Sequence, residues 1–77
     1  MLATLLLLAA AAGPAAAAGC TDRLAAVSAR VPTVSDPTKR ALLEYDVKHA
    51  QRELAEGDER DCNKALDHAE QLLGAQP

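Results

Sequence analysis

The sequence predicts a small all-α protein, an antiparallel three-helix bundle that follows a cleaved signal peptide. Three observations predict it. Apolar residues recur at helical spacing in three separate stretches, and proline and glycine punctuate the gaps between them. Every charged residue lies from Asp22 onward, so an uncharged leader precedes an amphipathic remainder.

The leader comes first. Residues 1–18 carry no charge, and 15 of those 18 are Ala, Leu or Met. An apolar run, Met1 to Ala12, ends at Gly13-Pro14 and is followed by small residues, which is the plan of a signal peptide with an A-x-A cleavage site. Proline removes a backbone donor and clashes with the preceding turn, so the chain beyond Pro14 is extended, as a protease cleft requires. Ala16-Ala17-Ala18 gives a cut between Ala18 and Gly19, and the run of alanines permits neighbouring cuts as well. A membrane-spanning helix needs about 20 apolar residues, and this run breaks after twelve. The two expected segments are therefore a signal peptide, 1–18, and a small helical domain, 19–77.

In the exported part, Cys20, Leu24, Val27 and Val31 fall at i, i+4, i+7 and i+11 and define a first helix at about 21–31. Thr21 or Asp22 is placed to cap it, and Pro32 stops it. Ser35-Asp36-Pro37 then offers an N-cap residue followed by proline at the first helical position. The second helix, about 37–56, repeats the spacing at Leu43, Val47, Ala50 and Leu54, with Leu42 and Tyr45 widening the stripe, and Gly57 ends it. Asp58 caps a third helix, about 59–73, and Asp61 adds negative charge near its N-terminus. Its stripe is Cys62, Leu66, Ala69 and Leu73, with Ala65 and Leu72 alongside. Short connections between three such helices give an up-down-up bundle.

Bulk is scarce in this bundle. Twelve large apolar side chains serve the 59 residues that follow the leader, and domains of that size need a staple. Cys20 and Cys62 supply one: both lie on apolar stripes, each at the start of a helix, and the starts of the first and third helices share one end of an up-down-up bundle. Export provides the oxidising compartment a disulfide requires. A loop of about 43 residues closed by that bridge restricts the unfolded chain by roughly 4 kcal/mol in the loop-entropy model. Redox motifs place their cysteines two residues apart, and these are 42 apart.

Ala17-Ala18-Gly19-Cys20 resembles the lipobox of bacterial lipoproteins, with Ala17 where that family most often has leucine. The resemblance implies cleavage before Cys20, an acylated N-terminus, and membrane contact through that lipid alone. Gly57-Asp58 followed by Cys62, Leu66, Ala69 and Pro77 resembles the turn and second helix of a tetratricopeptide repeat. Cys62 stands there in place of alanine, and Pro77 lies three positions past the usual proline. One repeat cannot bury its own face, so this second resemblance implies a helical hairpin and a protein-binding role, and no repeat family is assigned.

Chemistry-bearing residues are few. Asp46 and Glu53 flank His49 at i−3 and i+4 on one helical face, the basis for an alternative role as an envelope metal carrier. Otherwise His49 and His68 are solvated positions among charges, His68 beside Asp67 with no comparable arrangement. Ser28 and Ser35 lack a partnered base and no glycine-rich phosphate loop is present, so neither a catalytic residue nor a cofactor is expected. A net charge of −3, one basic pair (Lys39-Arg40) and one aromatic argue against nucleic acid. The function expected is structural or protein-binding, in the periplasm or outside the cell, with another envelope protein or a second copy as partner. The second helix, about 20 residues or ~30 Å, outruns the first at ~17 Å. Leu42, Leu43 and Tyr45, or Val47 and Leu54, are its candidate partner-facing residues.

Overall fold

The computed structural model describes residues 19–74; the expected leader, Ala18 and Pro77 lie outside them. Within the described residues there are three α-helices and no strand: α1, Cys20–Arg30, continued by a 3-10 turn, Val31–Thr33; α2, Pro37–Ala55; and α3, Glu59–Gly74. These bounds match the sequence expectation to within about a residue at each end, as helix ends usually allow. The helices form a bundle in which α1 and α3 start at the same end and α2 runs the other way.

The punctuation works locally as its chemistry dictates. Pro32 tightens the end of α1 into the 3-10 turn, after which Val34 takes an extended conformation. Asp36 caps α2, its Oδ1 accepting from the Thr38 N–H at 2.9 Å and the Lys39 N–H at 3.4 Å, with Pro37 in the first turn, where no amide donor is missed. At the other end of α2, Gly57 takes φ +81°. Its N–H reaches the Leu54 carbonyl at 3.0 Å while the Asp58 N–H reaches Glu53 at 2.9 Å. Those two bonds are the Schellman pair, which needs a residue at ease with positive φ. Asp58 Oδ1 then accepts from the Asp61 N–H at 3.0 Å and opens α3.

The start of α1 departs from expectation. Neither Thr21 nor Asp22 caps it: Gly19 is the N-cap residue and makes no side-chain cap. Instead the Glu59 carboxylate, from the first turn of α3, accepts the Cys20 N–H at 3.3 Å. Drawing Cys20 against Cys62 sets the two helix starts side by side, so the carboxylate that favours one N-terminus serves both.

The core is built from the predicted stripes together with Val34, which lies between α1 and α2 and on none of them. Leu43, Leu66 and Val34 are its largest fully buried side chains, and Val27, Val31 and Leu73 join them. Each large aliphatic side chain so buried contributes about 1.5–3 kcal/mol. Ala50, Ala65 and Ala69 are also buried and leave room for close approach between helices. Leu42 and Tyr45 do not widen the α2 stripe: they are 47% and 68% exposed. Tyr45 lies roughly 160° around the helix from the centre of the stripe at 100° per residue. The edge next to Leu43 and Ala50 is taken by Asp46, a buried carboxylate.

Candidate functional site

Cys20 and Cys62 are brought together. Cys20 opens α1 and Cys62 lies in the first turn of α3, with 6.2 Å between their Cα atoms and the two sulfurs at disulfide distance. Both residues have no solvent exposure. Gly19, on the C-terminal side of the expected cut, borders α3 as well: a Cβ placed on it would lie 3.6 Å from both Glu59 carboxylate oxygens.

The Asp46–His49–Glu53 face does not assemble as a set of ligands. Asp46 turns to α3, where its Oδ2 lies 2.6 Å from His68 Nδ1. His49 Nε2 sits 3.3 Å from Glu53 Oε2. Among the described residues, Glu53 instead converges with Asp58 and Asp61, their carboxylate oxygens within 4.8 Å of one another. Asp46 and Glu53 are seven residues, or ~10 Å, apart along α2, too far for one ion without a longer reach from both. The Asp58 carboxylate is committed to capping α3. His68, expected to stand alone among charges, is therefore half of an inter-helix pair, with a side chain 59% exposed against 8% for Asp46. Sequence spacing along a single helix carries no signal of it, because the partner comes from the neighbouring helix.

Arg23 is another polar residue that spacing missed. Its guanidinium spans from α1 to α3, with Nη1 donating to Asn63 Oδ1 at 2.7 Å. Nη2 donates to Asp67 Oδ1 at 2.8 Å and Glu70 Oε1 at 2.7 Å, and Nε to Glu70 Oε2 at 3.2 Å. The pair with Glu70 is bidentate, the strongest geometry available to a guanidinium. Hydrogen bonding to Glu70, then to Asp67, raises the Arg23 pKa above its ordinary value against a smaller opposing effect of burial. The positions of Asn63, Asp67 and Glu70 at i, i+4 and i+7 could have suggested a polar stripe on α3, though not its partner.

Of the partner-facing candidates on α2, Leu42 and Tyr45 face water, Val47 and Leu54 are half-buried, and Leu43 is fully buried and so excluded. A hollow of about 270 Å³ opens between the end of α1 and α2, lined by Ser28, Val31, Pro32, Glu44, Val47, Lys48 and Gln51. No helix among the described residues is long and apolar enough to cross a membrane. No protein-family model, curated protein or solved structure matches the chain.

Proposed function

We propose that residues 19–77 form an exported, disulfide-clamped helical protein that acts by binding or as a structural element rather than by catalysis. The observation that carries this reading is the buried Cys20–Cys62 pair, with its sulfurs at disulfide distance. Disulfides persist in the periplasm and outside the cell, and residues 1–18 have the composition of a leader that would take the chain there. The same pairing disfavours an acylated Cys20. A lipid on that sulfur would have to leave the core with it and would strand the Cys62 thiol in an apolar site.

The polar residues support a non-catalytic role. Among the described residues, Arg23, Asp36, Asp46 and Asp58 are each engaged in holding or starting a helix, which favours a structural use of these groups over acid–base chemistry. Binding then falls to what α2 offers to solvent, Leu42 and Tyr45 foremost. The metal-carrier alternative loses one of the two carboxylates that flank His49, because Asp46 is paired with His68.

Intact mass of the exported protein, measured before and after reduction, tests the reading. The expected chain begins at Gly19, carries no acyl mass, and gains two hydrogen atoms on reduction. A chain beginning at Cys20 and carrying acyl groups would replace this reading with the lipoprotein one. A lipid-free chain whose two thiols alkylate without reduction would overturn both.

A further inference from the structure

α1 is fastened to the rest of the bundle unevenly. To α3 it is tied by the sulfur pair, by the Cys20 N–H on Glu59 and by the Arg23 fan. To α2 it makes no hydrogen bond or ion pair among the described residues, and the hollow beside Val31 and Val47 opens along that seam. The chain that leaves α1 is pinned again at Val34, which is fully buried and whose carbonyl accepts from Arg40 Nη1 at 2.6 Å. Residues from Val34 onward therefore belong with the α2–α3 hairpin, and α1 hangs between the 3-10 turn at one end and the bridge at the other.

Without the bridge, little holds the free end of α1. The acidic partners of Arg23 are 62% and 47% exposed, so water replaces those pairs at little cost. The Glu59 bond to the Cys20 N–H is long, at 3.3 Å. An element held so lightly opens before the rest of a fold does. We propose, resting on the export reading above, that the Cys20–Cys62 bridge is a redox-set latch on α1. Oxidised, it seats α1 against α3. Reduced, α1 leaves as a unit, swinging on the 3-10 turn, while the α2–α3 hairpin stays folded. The open form uncovers the apolar cluster that α1 shares with the hairpin, Val27 and Val31 on one side and Leu43, Leu66 and Leu73 on the other.

A disulfide oxidant closes the latch: it takes two electrons and two protons from the Cys20 and Cys62 thiols and becomes two thiols as the sulfur–sulfur bond forms. A dithiol reductant opens it. One of its thiolates attacks a bridge sulfur to give a mixed disulfide, its second thiol displaces that cysteine, and the reductant departs as a disulfide, leaving two cysteine thiols. Both cysteines are without solvent exposure, so attack waits on opening of that end of the bundle, and the closed form outlasts brief contact with a reductant.

The test compares two forms of the full chain, 1–77, in mild detergent. One is the monomer bridged with oxidised glutathione; the other is reduced with dithiothreitol in urea and returned to buffer that contains dithiothreitol. Amide hydrogen exchange, read by mass on peptic fragments, is followed separately in α1 and in the hairpin. Reduction should speed exchange across α1 at least about tenfold and across the hairpin less than about threefold. The accompanying loss of circular dichroism should match the 11 residues of α1 and leave the 19 and 16 of the hairpin helical. Arg23→Ala, kept bridged, should hold α1 protected, which assigns the latch to the bridge rather than to the fan. Reduction that speeds all three helices alike, reduction that leaves α1 protected, or loss of α1 protection in bridged Arg23→Ala would each overturn the latch while leaving the export reading intact. A chain that the oxidant does not convert to a bridged monomer would overturn both.

Discussion

The two seams that α3 makes with its neighbours are held by different physics. Against α1, a helix of 11 residues, the contact is fastened by the sulfur pair at one end and by the Arg23 fan onto Asn63, Asp67 and Glu70 along its length. Against α2, 19 residues long, the contact is a hairpin closed by the Gly57 turn and filled by Leu43, Ala50, Leu66 and Ala69, with one carboxylate–imidazole pair at its edge. A long helix joined by a tight turn has enough apolar surface and little enough loop entropy to pack without further help. A short helix separated from α3 in sequence by the whole of α2 has neither advantage, and there the sequence places covalent and charged fasteners instead.

The largest test of this contrast removes the sulfur pair. Cys62→Ser and Cys20→Ser should each lower stability by about 4 kcal/mol, and the double variant should be no worse than either, because both remove the same constraint. Urea unfolding followed by circular dichroism measures this. Additive losses would mean that each cysteine contributes through its own packing and that the α1 seam does not depend on the bridge.

What the sequence made legible divides along the same line. The helices, their caps at Asp36 and Asp58, the glycine at 57 and the buried stripes follow from local rules, because each depends on residues three to seven apart. The cysteine pairing was also reachable, since up-down-up topology alone places Cys20 and Cys62 at one end. Arg23, His68 and the Glu59 cap were not. Their partners lie on another helix, and rotation about each helix axis, which decides which polar residues meet, depends on how the apolar stripes interlock. Asp46 shows the difficulty: its spacing from His49 and Glu53 suggested a ligand face, whereas its place between Leu43 and Ala50 on the stripe turns it inward to α3.

A smaller test lies in the α2 seam. Asp46 is buried and His68 mostly exposed, so the two halves of their hydrogen bond are not equivalent. Asp46→Ala leaves an imidazole that water can solvate and should cost less than about 1 kcal/mol, whereas His68→Ala strands a buried carboxylate and should cost about 1–3 kcal/mol. The exposed residue is thus expected to be the more sensitive of the two. Denaturant midpoints at neutral pH decide it, and the reverse order would mean that Asp46 relaxes into solvent when its partner is lost.

A further small effect best separates the two seams, because it responds to salt. Arg23→Ala removes a bidentate contact to Glu70 together with bonds to Asp67 and Asn63, but the two acidic side chains are about half exposed or more, 47% and 62%. Water and entropy offset most of what such pairs gain, so the loss should be about 1 kcal/mol at low ionic strength. The Debye length falls to ~3 Å at 1 M salt, and the difference between wild type and variant should shrink accordingly. Part of it should survive, because the Arg23 side chain is only 24% exposed and long charged side chains bury their aliphatic stems, and Arg23→Met, which keeps that stem, should recover this part. The losses from Cys62→Ser and His68→Ala should change far less with salt, since one is a covalent constraint and the other involves a carboxylate already out of water. Measured as wild-type-minus-variant stability at two salt concentrations, a difference for Arg23→Ala that does not move would place its contribution in packing rather than charge. The α1 seam would then be held by the bridge and apolar contact alone.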